Sequence, residues 1–201
     1  MIDDEIYPYV MPLFRRYGDP RSFAGTAFVI NDYLVTAGHV LLSPSTYYVR
    51  NGADYHPLLF DEWIPKQLPS DDRTGYDIAM YPLPGLKSQL SLSDADAQPN
   101  DSLNIVCWQM KPRGLEQVVT QGLVIKDPDL AGYQRLATVE HITHGCSGCP
   151  AFDNDGRVHG MITMGRTNVE AKNLAPIPLK MEQNTCWAFK TSYIKRFMPN
   201  T

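Results

Sequence analysis

Apolar, β-branched and aromatic residues occur in short runs along this chain, and Gly, Pro, Asn or Asp interrupts them at close intervals. Such runs suit half-buried strands, whereas apolar residues recurring at helical spacing are scarce. Strands are predicted over residues 7–14, 24–30, 33–36, 47–50, 55–60 and 78–83, with Asn31-Asp32 a tight turn between two of them. Residues 84–101, PGLKSQLSLSDADAQPND, are rich in Pro, Ser, Asp and Gly without a sustained period, which marks a connector. Strands resume over residues 103–109, 117–125, 134–142, 149–152, 158–164 and 186–189, with Asp155-Gly156 a hairpin turn because Gly accepts positive φ cheaply. Residues 191–198 place Tyr193, Ile194 and Phe197 on one helical face, and Thr191 or Ser192 is available as the cap. The expectation is an all-β protein of two units, residues 1–84 and 102–201, joined by 85–101 and closed by one helix. Small closed or nearly closed barrels are the economical form for two such units.

Composition narrows the partners. The 18 Lys and Arg are scattered and the formal net charge is -4, so there is no basic stripe to follow a phosphate backbone and nucleic acid is not expected. No stretch reaches the roughly 18 uninterrupted apolar residues of a spanning helix, so no membrane partner is expected. Met1-Ile2-Asp3-Asp4-Glu5 is acidic where a secretory signal is basic, which gives the expectation of a cytoplasmic protein. The four cysteines, Cys107, Cys146, Cys149 and Cys186, are few for a disulfide-stapled domain, and reduced thiols are expected.

Chemistry concentrates in three segments. Thr36-Ala37-Gly38-His39-Val40 ends a predicted strand with a histidine, and Tyr76-Asp77-Ile78-Ala79-Met80 sets an acid directly before another. Alone, each reads as a structural histidine and a turn acid. The third, Gly145-Cys146-Ser147-Gly148-Cys149-Pro150, brackets a serine with glycines and fixes its exit with proline. Acyl transfer needs that local shape: a hydroxyl exposed on a tight turn, with backbone N–H groups aimed at the developing oxyanion. Gly145 and Ser147 are the candidate donors.

Taken together, the blocks GTAFVINDYLVTAGHV, DIAMYPLP and GCSGCPAFDNDGRVHGM resemble the signatures of trypsin-like serine proteases in their chain order of His, Asp and Ser. The pattern is closest to short bacterial HtrA-type peptidase domains, and the strands around residues 102–125 and the closing strand and helix extend it over nearly the whole chain. The resemblance implies two six-stranded antiparallel β-barrels of the chymotrypsin fold with a C-terminal helix. It implies a serine endopeptidase acting on protein or peptide without a cofactor or catalytic metal, with His39, Asp77 and Ser147 as its triad and the N–H groups of Gly145 and Ser147 as its oxyanion hole. It also implies that His141 lies at the base of the P1 pocket and that Thr163-Met164-Gly165 pairs with the substrate backbone.

The pattern is broken in one place. The family usually has an acidic or amide residue immediately before the nucleophile, and this chain has Cys146. Cys146 with Cys149 could form a redox pair, and His141-x-x-His144-x-Cys146-x-x-Cys149 has zinc-ligand spacings, although zinc there would enclose Ser147 and leave the other two blocks unexplained. The rival readings are a viral polyprotein-processing protease, which shares the compact spacings, a protease-fold binding module without catalysis, and an enzyme that a regulatory protein partner activates by ordering the Gly145 turn.

Overall fold

The computed structural model describes residues 7–41, 45–64, 77–125, 132–140, 142–166 and 184–198. The first sheet holds β1 (Val10–Phe14), β2 (Phe23–Ile30), β3 (Tyr33–Thr36), β4 (Tyr47–Asn51), β5 (Asp54–Leu58) and β6 (Ala79–Pro82) in the order β5-β4-β1-β2-β3-β6. Every neighbour is antiparallel. Asn31 and Asp32 both take positive φ, 46° and 62°, the conformation of a two-residue turn whose twist matches the flanking strands, so β2 and β3 pair in register from Ile30↔Tyr33 onward. The sheet curls until Ile64 meets Met80 of β6 in a single antiparallel bridge, each N–H donating to the other's carbonyl at 2.8 Å.

The second sheet holds β7 (Ser91–Leu92), β8 (Ser102–Lys111), β9 (Gly114–Ile125), β10 (Tyr133–Thr138), β11 (Pro150–Phe152), β12 (Arg157–Arg166) and β13 (Asn184–Lys190). Its order is β11-β8-β9-β10-β13-β12-β7, and β11 also pairs with β12, so six of its strands close into a barrel with β7 appended at the edge. The fold is the expected all-β one, with one closed barrel and one curled sheet. Strand β7 falls within the predicted connector and pairs in parallel with β12 through Arg157↔Ser91 and Val158↔Leu92.

Helix α1 (Thr191–Phe197) ends the described chain, and among the described residues no helix is long and apolar enough to cross a membrane. Its cap differs from the expectation. Neither Thr191 nor Ser192 caps it through its own side chain; the Asp96 carboxylate does so from the connector, accepting from the Ser192 N–H at 2.9 Å and the Ser192 hydroxyl at 2.7 Å.

One buried apolar cluster runs from the first sheet (Leu13, Phe28, Leu34, Met80) into the second (Val106, Phe152, Met161, Phe189) and the helix (Ile194). A second fills the closed barrel and contains all four cysteines of the chain beside Leu103, Ile105, Leu136 and Ile162. Contacts between the sheets are also polar. Trp108 Nε1–H donates to the Val10 carbonyl at 2.8 Å, and the Arg50 guanidinium lies over the Phe14 and Trp108 rings at 5.6 and 5.3 Å from their centroids.

Candidate active site

His39 stands on a single 3-10 turn, Gly38–Val40, that follows β3. Gly38 and Val40 are buried on either side, which turns the imidazole out of the core. Asp77 immediately precedes the buried Ile78 and β6, the neighbour of β3, so the two sheet partners carry both residues at the same end. Asp77 is bidentate toward His39: Oδ1 accepts from the His39 backbone N–H at 2.8 Å and Oδ2 lies 2.7 Å from Nδ1. A carboxylate in that position holds the proton on Nδ1 and leaves Nε2 as the base. Their side chains are 47% and 22% exposed, so the imidazole remains open to a substrate. The Tyr133 phenol of β10 meets the Asp77 backbone, and its pKa is raised, first by burial and then by the Asp77 charge.

The turn that carries Ser147 lies across the interface between the sheets. Gly145 has φ +105° and Gly148 φ +88°, both in the region that favours glycine. A Cβ on Gly148 would strike the Thr26 carbonyl oxygen and the Thr36 hydroxyl, and one on Gly145 would strike the Phe23 ring and the Trp108 carbonyl. The turn is bonded within itself and to β12: Cys146 N–H donates to Thr143 O at 3.2 Å, Cys149 N–H to Cys146 O at 3.1 Å, and Gly148 N–H to Ile162 O at 2.7 Å. Among the described residues the N–H groups of Gly145 and Ser147 have no acceptor.

Ser147 Oγ donates to the Thr163 carbonyl at 3.1 Å. That carbonyl is presented by a bulge: Ile162 pairs with Ala188 and Met164 with Trp187, which leaves Thr163 as the extra residue of β12. The structure therefore joins His39 to Asp77 and Ser147 to Thr163, and no hydrogen bond joins His39 to Ser147. Catalytic hydrogen bonds are commonly loose without substrate. Beyond Ile162, β12 is paired on one side by β13, and among the described residues the other edge of 164–166 has no strand beside it. His141 lies outside the described residues, and the neighbouring His144 is exposed on the turn.

The cysteines correct the expectation of four reduced thiols, while Cys146 and Cys149 are both fully buried and are not bonded to each other. The structure joins Cys146 to Cys107, 39 residues earlier, because β8 runs beneath the nucleophile turn. Cys149 and Cys186 are free and buried. Burial pushes the Cys186 thiol up to about 12 and holds Cys149 well above the usual thiol range, with the neighbouring Cys186 adding to the effect, so both are poor nucleophiles. Among the described residues no group of three or more His, Cys, Asp or Glu side chains is placed to hold a metal ion. His159 Nε2 lies 3.1 Å from Asp153 Oδ2 in the β11–β12 hairpin, within the third of the three blocks and away from the Ser147 turn.

No family model matches the sequence, and no curated protein matches it. Solved structures do match. The Rv3671c protease of M. tuberculosis superposes with a TM-score of 0.64 in its inactive form, at 17% identity over 96% of this chain and 88% of that one. Its active form gives 0.66 at 17% identity over 96% and 80%. A serine endoprotease from Yersinia pestis gives 0.67 at 19% identity over 96% of this chain, which spans 62% of that enzyme's length. A serine protease of human pathogenic astrovirus gives 0.56 at 16% identity over 91% and 89%. The fold of this chain is that of the chymotrypsin-like serine proteases.

Proposed function

We propose that this chain is a serine endopeptidase of the trypsin-like mechanistic class, with His39, Asp77 and Ser147 as triad. The observation that carries the proposal is the bidentate Asp77–His39 pair set across the sheet interface from a serine on a turn that leaves the N–H groups of Gly145 and Ser147 without acceptors among the described residues. His39 Nε2 takes the Ser147 proton once the hydroxyl rotates away from Thr163, and Oγ attacks the scissile carbonyl carbon. The carbonyl oxygen becomes an oxyanion between the Gly145 and Ser147 N–H groups, where one donor is worth on the order of 100-fold in rate. Asp77 holds the tautomer and stabilises the imidazolium, which then protonates the leaving amine. Water repeats the sequence on the acyl-enzyme, releasing the acid and restoring Ser147.

The edge of Thr163-Met164-Gly165, which beyond Thr163 no described strand pairs on that side, is the proposed place for the substrate backbone, with His141 at the base of the P1 pocket. Protein or peptide is the substrate, and no cofactor enters. Hydrolysis of fluorescein-labelled casein tests this: H39A and S147A fall to background, and D77N falls by about 10,000-fold because the imidazole loses its tautomer control. Undiminished cleavage by S147A overturns the assignment.

One observation favours a second reading, a protease-fold binding module without catalysis: the Ser147 hydroxyl is engaged by Thr163 and not by His39. Casein that stays intact with folded wild-type protein, while the protein retains a peptide ligand, would support that reading.

A further inference from the structure

One side chain of the first sheet holds the nucleophile turn. Thr26 is fully buried on β2 and uses each of its polar groups across a different contact. Its hydroxyl accepts from the Trp108 N–H at 3.0 Å and donates to the Gly145 carbonyl at 2.6 Å. The direction of both bonds is fixed by their partners, since a backbone N–H only donates and a carbonyl only accepts. Its own N–H donates to the Ser147 carbonyl at 3.0 Å, and its carbonyl accepts from the Thr36 hydroxyl at 2.7 Å. Thr26 thus grips the carbonyls of Gly145 and Ser147, the two residues whose N–H groups form the proposed oxyanion hole. Through Thr36, three residues before His39, the same grip reaches the base.

We propose that the Thr26 hydroxyl is a positioning residue for acylation, an inference that rests on the serine protease reading above. Gly145 sits at φ +105°, and the freedom that lets it adopt this conformation also lets the peptides beside it turn over. The Gly145–Cys146 peptide is held at both ends, its oxygen by Thr26 and its N–H by Thr143. With that peptide plane fixed, fewer torsions remain by which the Gly145 N–H can leave the point where it meets the Ser147 N–H. The hydroxyl, and not the bulk of the side chain, supplies the restraint. Its bond to Trp108 keeps it from rotating away.

A purely structural role predicts something different: a cross-sheet link whose loss lowers thermal stability while each folded molecule reacts at the wild-type rate. The second-order rate of labelling by a fluorophosphonate separates the two, because the phosphoryl oxygen of the adduct occupies the oxyanion hole. Wild type, T26V and T26S are compared well below their unfolding midpoints, with near-UV circular dichroism reporting the fold. T26V keeps the branched shape and loses the hydroxyl; its labelling rate falls by about 10- to 100-fold, somewhat less than deletion of an oxyanion donor. T26S stays within about threefold of wild type. With a cleavable peptide the T26V loss appears in kcat and leaves KM in place.

If T26V does not fold, T26A carries the same readout, since its smaller side chain leaves water room to reach both backbone groups. Folded T26V that labels at the wild-type rate, or T26S as slow as T26V, overturns the inference and leaves the protease reading standing. A folded wild type that does not label overturns the protease reading itself, and the inference with it.

Discussion

Gly148 is the residue for which no substitute fits. Its φ of +88° and the Thr26 and Thr36 oxygens against its Cα mean that even a methyl group must push the nucleophile turn off the first sheet. The conformation alone costs about 1–3 kcal/mol for a residue with a Cβ, and the overlap adds to it. G148A is expected to lose at least 100-fold in peptide hydrolysis and to unfold at lower temperature, both measured against wild type. Wild-type activity in G148A would mean that the turn is not held where the structure has it. At this scale the sequence pointed to candidate reactive groups and was silent about what holds their surroundings. His39, Asp77 and Ser147, the proposed triad, sit in local patterns that stand out along the chain. Thr26 does not, because a threonine within a strand is ordinary and its partners lie 82 and 119 residues away. The expectation of reduced thiols failed for the same reason: Cys107 and Cys146 stand 39 residues apart in the chain, and strand β8 brings them together.

Strand pattern and turn chemistry made most elements legible before the structure was known. β3 spans the predicted residues, and the helix runs from 191 to 197 within a predicted 191–198. Other boundaries shifted by up to about four residues, as at β10, which stops at Thr138 instead of 142. Strand β7 was not legible. Two residues in a segment rich in Pro, Ser and Asp carry no period, and the strand exists because β12 offers its edge. The helix cap was hidden in a similar way, since Asp96 reaches Ser192 across 96 residues. Loss of a side-chain cap costs about 1 kcal/mol, which for a chain of this size is a fall of about 2–4 °C in the unfolding midpoint. D96A is expected to show that fall in a thermal scan and to keep its hydrolytic rate, because Asp96 caps α1 from the connector and α1 packs on β12 and β13. A fall in rate with no change in midpoint would show that the connector acts on the site by another route.

For the molecule as a whole, the proposed active site belongs to neither sheet. The first contributes His39, Asp77 and the Thr26–Thr36 pair; the second contributes the nucleophile turn and the Thr163 bulge. A continuous apolar core and the Trp108–Val10 bond hold the halves together, so the spacing of His39 and Ser147 is a property of the junction. Bacterial and viral proteases share this fold at under 20% identity. The central claim is that Ser147 is an activated nucleophile. Intact-mass analysis and peptide mapping after exposure to a fluorophosphonate test it most directly. The account predicts one adduct on the wild type, mapped to Ser147, and none on S147A. An adduct that persists on S147A, or a folded wild type left unmodified, would contradict it.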